Sequence, residues 1–183
     1  MRLLCSTFLL ASLLVIAALG SAQADGLPKA GDVLPAFTMP APTKKDCDYL
    51  GIPKGKPFSL KDIQAKFVVF EVIGVYCPQC HDQVPRFNDL SRRLKKARLD
   101  DRVKMLALAA GGYPAEVDFM RSQGTYAYPV ITDQDFAVHK KLKEPQTPFT
   151  MIVETATGKV LWAHLGVEQN IDSLFKRLSE LAQ

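Results

Sequence analysis

The sequence has little net charge: 23 Lys and Arg stand against 19 Asp and Glu, a balance of +4 over 183 residues. So weak an excess leaves no electrostatic footprint for a polyanion, and nucleic acid is excluded as an expected partner. The one basic cluster, Arg92, Arg93, Lys95, Lys96 and Arg98, runs straight into Asp100 and Asp101 and reads as the solvated face of a helix. There is no internal repeat and no low-complexity tract, which sets aside a repeat architecture. Cysteine and histidine are sparse, at four and three, so each has to be accounted for singly. What is present, 48% hydrophobic and 23% charged residues, suits one ordinary globular domain with apolar side chains enough for a core.

The first 24 residues differ from the rest: Arg2, an apolar run from Phe8 to Leu19, then Ala22, Gln23 and Ala24 in the small-x-small arrangement of a cleavage site. Residues 1–24 are expected to be a signal peptide, with an uncleaved membrane anchor as the alternative. In either case the remainder works outside the cytoplasm, in a periplasm or otherwise exported. Cys5 would leave with the signal, so cleavage leaves 159 of the 183 residues and three cysteines, Cys47, Cys77 and Cys80. An odd number cannot all pair within one chain. Cys47, set in Lys45-Asp46-Cys47-Asp48, is flanked by acids that blunt its reactivity; it reads as a spare thiol or as an intermolecular link in an otherwise monomeric protein.

Residues 25–58 are crowded with Pro28, Gly31, Pro35, Pro40, Pro42, Gly51, Pro53, Gly55 and Pro57. They are expected to be an irregular extension that forms no helix, holds at best short edge strands such as Phe37 to Met39, and wraps the core rather than building it. From residue 59 the pattern is α/β. Ser59 and Asp62 have capping spacing, and Phe67 to Ile73 is a continuous apolar strand buried on both faces. From Pro78 to about Leu99, Val84, Phe87, Leu90, Leu94 and Ala97 recur every three or four residues, a helix with one buried stripe, kinked early at Pro85. Further strands are predicted at Val103 to Ala109, Pro129 to Thr132, Phe149 to Glu154 and Lys159 to Leu165, the last two a hairpin turned at Thr157 and Gly158. Helices are predicted at Pro114 to Gln123, Phe136 to Leu142 and, capped by Asn170, through Ile171, Leu174, Phe175, Leu178 and Leu181. Strands alternating with helices imply a mostly parallel sheet with an antiparallel C-terminal hairpin.

Cys77, Pro78, Gln79 and Cys80 fall where the apolar strand gives way to the long helix. At a helix N-terminus, unpaired amides and the dipole stabilise an anion, so Cys77 is the expected attacking thiolate. Cys80, one turn further in, is shielded and placed to resolve a mixed disulfide. Glu71, inside an apolar strand, is costly to bury as a carboxylate and so suits proton transfer near neutral pH.

These features resemble the thioredoxin superfamily, and more narrowly its exported TlpA- and ResA-like redoxins, over roughly Gly31 to the C-terminus. The matching residues are the Cys77-Pro78-Gln79-Cys80 motif between strand and helix, Pro85 five residues later, Thr147-Pro148 before the hairpin strand, and Glu71 six residues before Cys77. The resemblance implies a thioredoxin fold with helices on both faces of the sheet, a cis bond at Pro148 and a buried proton carrier at Glu71. It also implies substrate contacts at Tyr76, Pro78, Thr147 and Pro148, protein disulfides as substrates, a membrane thiol-disulfide electron donor, and neither cofactor nor metal. Two positions depart from the pattern: Tyr76 replaces the usual Trp, and Gln83 replaces the pocket Glu with which ResA-like proteins recognise apocytochrome.

Three rivals are spelled by the same residues. The opening Gly31-Asp32-Val33-Leu34-Pro35-Ala36-Phe37 is similar to the start of peroxiredoxins, although Gly74 stands where their Thr-x-x-Cys signature would need Thr. Cys77, Cys80 and His81 form Cys-x-x-Cys-His, the attachment motif of a c-type haem, but Met105, Met120 and Met151 look like core rather than a second axial ligand. The same three residues could carry Cu(I), which soft thiolates suit. His139 and His164 read as structural histidines.

Overall fold

The computed structural model describes residues 26–183; the expected signal peptide and its cleavage site lie outside the described residues. Among the described residues no helix is long and apolar enough to cross a membrane.

The Pro-rich segment departs from its expected form in two ways. It contains a helix, α1 (Lys44–Leu50), which the prolines bracket instead of interrupting. The Thr43 side chain accepts the Asp46 amide at its start, and Gly51 ends it in the left-handed region at φ 69°. The segment also builds core: Leu34, Phe37, Met39, Cys47, Leu50, Ile52 and Phe58 are buried in one cluster with Val68, Phe70 and Val72. Only the edge pairing is slight, two isolated antiparallel bridges that join Met39 to Phe58 and Val33 to Lys159. Cys47 is 1% exposed, its sulfur turned towards the carbonyls of Pro42 and Pro53. It is therefore packed as a core thiol, and an intermolecular disulfide through it would require α1 to leave the core.

Ser59 opens a single 3-10 turn, Leu60–Asp62, its amide donating to Asp62 Oδ2 at 2.7 Å as the spacing implies. There follow β1 (Phe67–Ile73), α2 (Pro78–Lys96), β2 (Val103–Ala110), α3 (Pro114–Ser122), β3 (Val130–Asp133), α4 (Ala137–Lys141), β4 (Phe149–Glu154), β5 (Val160–Leu165) and α5 (Ile171–Leu181). The strand order is β3-β2-β1-β4-β5. β1, β2 and β3 run parallel, while β4 runs antiparallel to β1 and to β5, so the sheet is mixed, parallel in one half and antiparallel in the other.

β1 is the central strand and all seven of its residues are buried, which explains its unbroken apolar character. Its alternate side chains serve two cores. Val68, Phe70 and Val72 face the N-terminal segment and α4; Phe67, Val69 and Ile73 face Phe87, Leu90 and Leu94 of α2, Val117 and Met120 of α3, and Leu174 and Leu178 of α5. Each such large side chain, fully buried, contributes about 1.5–3 kcal/mol. Helices thus cover both faces, and Glu71 is the one ionisable residue of β1, on the α2 side.

The basic cluster on α2 is a surface feature: Arg92 and Arg93 pair with Asp89, and Arg93 also reaches Asp172 of α5.

Candidate active site

β1 ends at Ile73, and Gly74 to Tyr76 carry the chain to Cys77, the residue that caps α2. Pro78 suits the first helical position because its missing N–H has no partner to lose there. Cys77 and Cys80 are joined in a disulfide with 5.3 Å between their Cα atoms. The Cys80 amide donates to Cys77 Sγ at 3.1 Å, so the sulfur occupies the capping position and faces the free amides of the first turn. The two sulfurs differ in access: Cys77 is partly exposed, while Cys80 is 0% exposed within the α2 core.

The start of β4 approaches the disulfide from the other side. The Thr147–Pro148 peptide bond is cis, as the resemblance implies, and Cys77 Sγ lies 3.5 Å from the Thr147 carbonyl oxygen. The Pro148 carbonyl accepts the Gly166 amide at 2.8 Å, which ties β4 to the end of β5. Tyr76 is 81% exposed next to the dithiol, and its hydroxyl donates to Glu116 Oε1 at 2.6 Å. That bond holds Glu116 below the usual carboxylate range and raises the Tyr76 hydroxyl.

Below the helix lies a polar cluster in an otherwise apolar layer. Glu71 is 1% exposed; Gln83 Nε2 donates to its Oε1 at 2.6 Å and the Tyr128 hydroxyl to its Oε2 at 2.8 Å. Burial pushes the Glu71 carboxyl up to about 7, and the two hydrogen bonds, which favour the ionised form, hold it from going higher. Burial and the nearby carboxylate likewise push the Tyr128 and Tyr126 hydroxyls well up. Tyr128 and Thr150 form no part of the site read from the sequence, where Gln83 stands only as a departure from the pocket Glu that the resemblance expects. Gln83 did leave a signal, since Cys80, Gln83, Val84 and Phe87 share one buried stripe of α2 and a polar residue there needs a partner.

The other sequence candidates fall elsewhere. His81 is exposed, its Nε2 3.0 Å from the Val75 carbonyl, and the two sulfurs that a haem would need are bonded to each other. His139 Nε2 lies against the Pro145 carbonyl and His164 stacks on Trp162. Among the described residues no group of three or more His, Cys, Asp or Glu is arranged to hold a metal ion.

The family model described as AhpC/TSA family matches residues 30–163, an interval that contains the dithiol, Glu71, Gln83, Tyr128, Pro148 and Thr150. The chain belongs to the AhpC/TSA family. As a member of that family it is a thioredoxin-fold oxidoreductase of the redoxin type. No curated protein sequence matches it. Among solved structures it is similar to a protein assigned as the thiol:disulfide interchange protein DsbE of Chlorobium tepidum, with TM-score 0.63 and 18% identity over 86% of this chain and 99% of that one. It is also similar to a secreted disulfide oxidoreductase of Mycobacterium tuberculosis homologous to DsbE of E. coli, at TM-score 0.57 and 16% identity over 79% of this chain and 95% of that one. AhpC of Mycobacterium tuberculosis gives TM-score 0.63 and 15% identity over 86% of this chain and all of that one. At these identities the likeness establishes the fold that AhpC/TSA members share.

Proposed function

We propose that this AhpC/TSA member is an exported thiol-disulfide oxidoreductase that reduces disulfides in protein substrates. The observation that carries this reading is the asymmetry of the pair, with Cys77 open at the cap of α2 beside the Thr147 carbonyl and Cys80 closed off beneath it. The Cys77 thiolate attacks one sulfur of a substrate disulfide, forming a mixed disulfide and releasing the other substrate sulfur as a thiolate. The Cys80 thiolate then attacks Cys77 Sγ, which frees the second substrate sulfur and leaves the Cys77–Cys80 disulfide. Glu71 takes the proton from Cys80 in this step and returns one on reduction, a task that suits a carboxyl titrating near neutral pH. Tyr76, Pro78, Thr147 and Pro148 border the sulfur and contact the substrate chain. A membrane thiol-disulfide donor supplies the two electrons that reopen the pair. The apolar N-terminus and the secreted structural relative support export.

The test is a pair of variants. Cys77→Ser abolishes disulfide reduction, and Cys80→Ser accumulates mixed disulfides with substrate, seen by intact mass; full activity in the first or no trapped adduct in the second contradicts the mechanism. A potential near or below about −270 mV agrees with a reductant, and one near about −120 mV makes the protein an oxidant instead. The family match and the likeness to AhpC favour a second reading, hydroperoxide reduction. Peroxide-dependent turnover requiring Cys77 or Cys80 would establish it.

A further inference from the structure

Gln83 is 0% exposed and its amide is fully committed. Oε1 accepts the Glu168 backbone amide at 2.8 Å, and Nε2 donates to Glu71 Oε1 at 2.6 Å and, more weakly, to Thr150 Oγ1 at 3.4 Å. The orientation of the amide is fixed by its partners. A backbone N–H can only donate, so Oε1 must face Glu168, and the NH2 group must therefore face Glu71. Glu71 and Thr150 are directly paired across β1 and β4, so one side chain of α2 bonds both members of the pair next to the cis-proline strand. Gly166 bonds the Pro148 carbonyl, and two residues further on Glu168 bonds Gln83, so the same loop anchors both.

This arrangement makes the two oxygens of Glu71 unequal. Oε1 meets an N–H that cannot accept a proton, whereas Oε2 meets a hydroxyl that can either donate or accept. The groups that face Glu71 come from several elements: Tyr128 and Tyr126 from the segment before β3, the first bonded to it and the second close enough to feel its charge, Gln83 from α2, Thr150 opposite it on β4, and Ala107 opposite it on β2. We infer that Gln83 is a positioning residue for Glu71, holding Oε1 as an acceptor in both states of the acid and leaving Oε2, opposite Tyr128, as the oxygen that takes up and gives up the proton. The inference rests on the proton-carrying role proposed for Glu71 only in its consequence for turnover, because the bonding itself is independent of that role.

Gln83→Leu removes a hydrogen bond that favours the ionised acid, so the titration midpoint of Glu71 rises by about one pH unit. Gln83→Glu keeps the length and the acceptor for Glu168 but sets a second carboxyl against the first, so the two titrate as a coupled pair with well-separated midpoints. The experiment is 13C NMR of the side-chain carboxyls in the oxidised protein, with Glu71→Gln to assign the signal, alongside the pH dependence of mixed-disulfide release. A Glu71 midpoint unchanged in both Gln83 variants overturns the inference, even if they melt at lower temperature. A midpoint that moves, with the release profile moving alongside it, supports both the inference and the role of Glu71. If the midpoint moves and release does not follow, the positioning by Gln83 stands and the proton role of Glu71 falls.

Discussion

A carboxyl buried in the central strand has consequences for stability as well as for chemistry. In the folded chain Glu71 sits at about 7, against an ordinary 4.5 for the free side chain. Its folded value is the higher one, so folding favours the protonated form. The associated stability is fully present below about pH 4.5 and is lost as the pH rises through about 7, a change of about 3 kcal/mol. Denaturant unfolding of the disulfide-bonded protein should show wild type losing that amount between pH 4.5 and pH 8 relative to Glu71→Gln; parallel curves for the two proteins would contradict the burial argument. At this scale the sequence was legible where chemistry is local: two cysteines at motif spacing, a proline before a strand, an acid in an apolar run. The partners of the acid were not, because Tyr128 lies 57 residues from Glu71 and Thr150 lies 67 from Gln83, and only the fold brings them together.

Elements were legible in proportion to the length of their periodicity. α2 and β1 stand out because nineteen and seven residues repeat one pattern. α1 was obscured by the density of prolines around it, although Thr43, Asp46 and Gly51 spell its start and stop. Gly51 is where that element is most vulnerable. At φ +69° it has a left-handed backbone, and a Cβ there would lie 2.6 Å from Gln64 Cβ, whereas Gly124, at φ +65°, has open space. Gly124→Ala should cost about 1–2 kcal/mol from backbone strain alone, and Gly51→Ala should cost more than that. Urea denaturation of the two variants tests this ordering; equal costs would mean that Gln64 yields freely.

The whole molecule is organised by strand order, which local sequence patterns do not encode. The hairpin strand β4 lies beside β1 and not beside its predecessor β3, which makes half the sheet antiparallel and brings Thr147 over Cys77. The N-terminal segment fills the opposite face, so a stretch that composition alone marks as wrapping belongs to the interior. One sulfur of the disulfide is accessible and the other is not. On the mechanism proposed above, whatever delivers electrons must therefore meet the protein at Cys77, the same atom that later attacks the oxidised client. Donor and client take turns at one port, and neither can wait at a second. Steady-state rates should follow ping-pong kinetics, giving parallel double-reciprocal lines, with each reactant competing against the other when in excess. Intersecting lines would reveal a ternary complex, and with it a second point of electron entry.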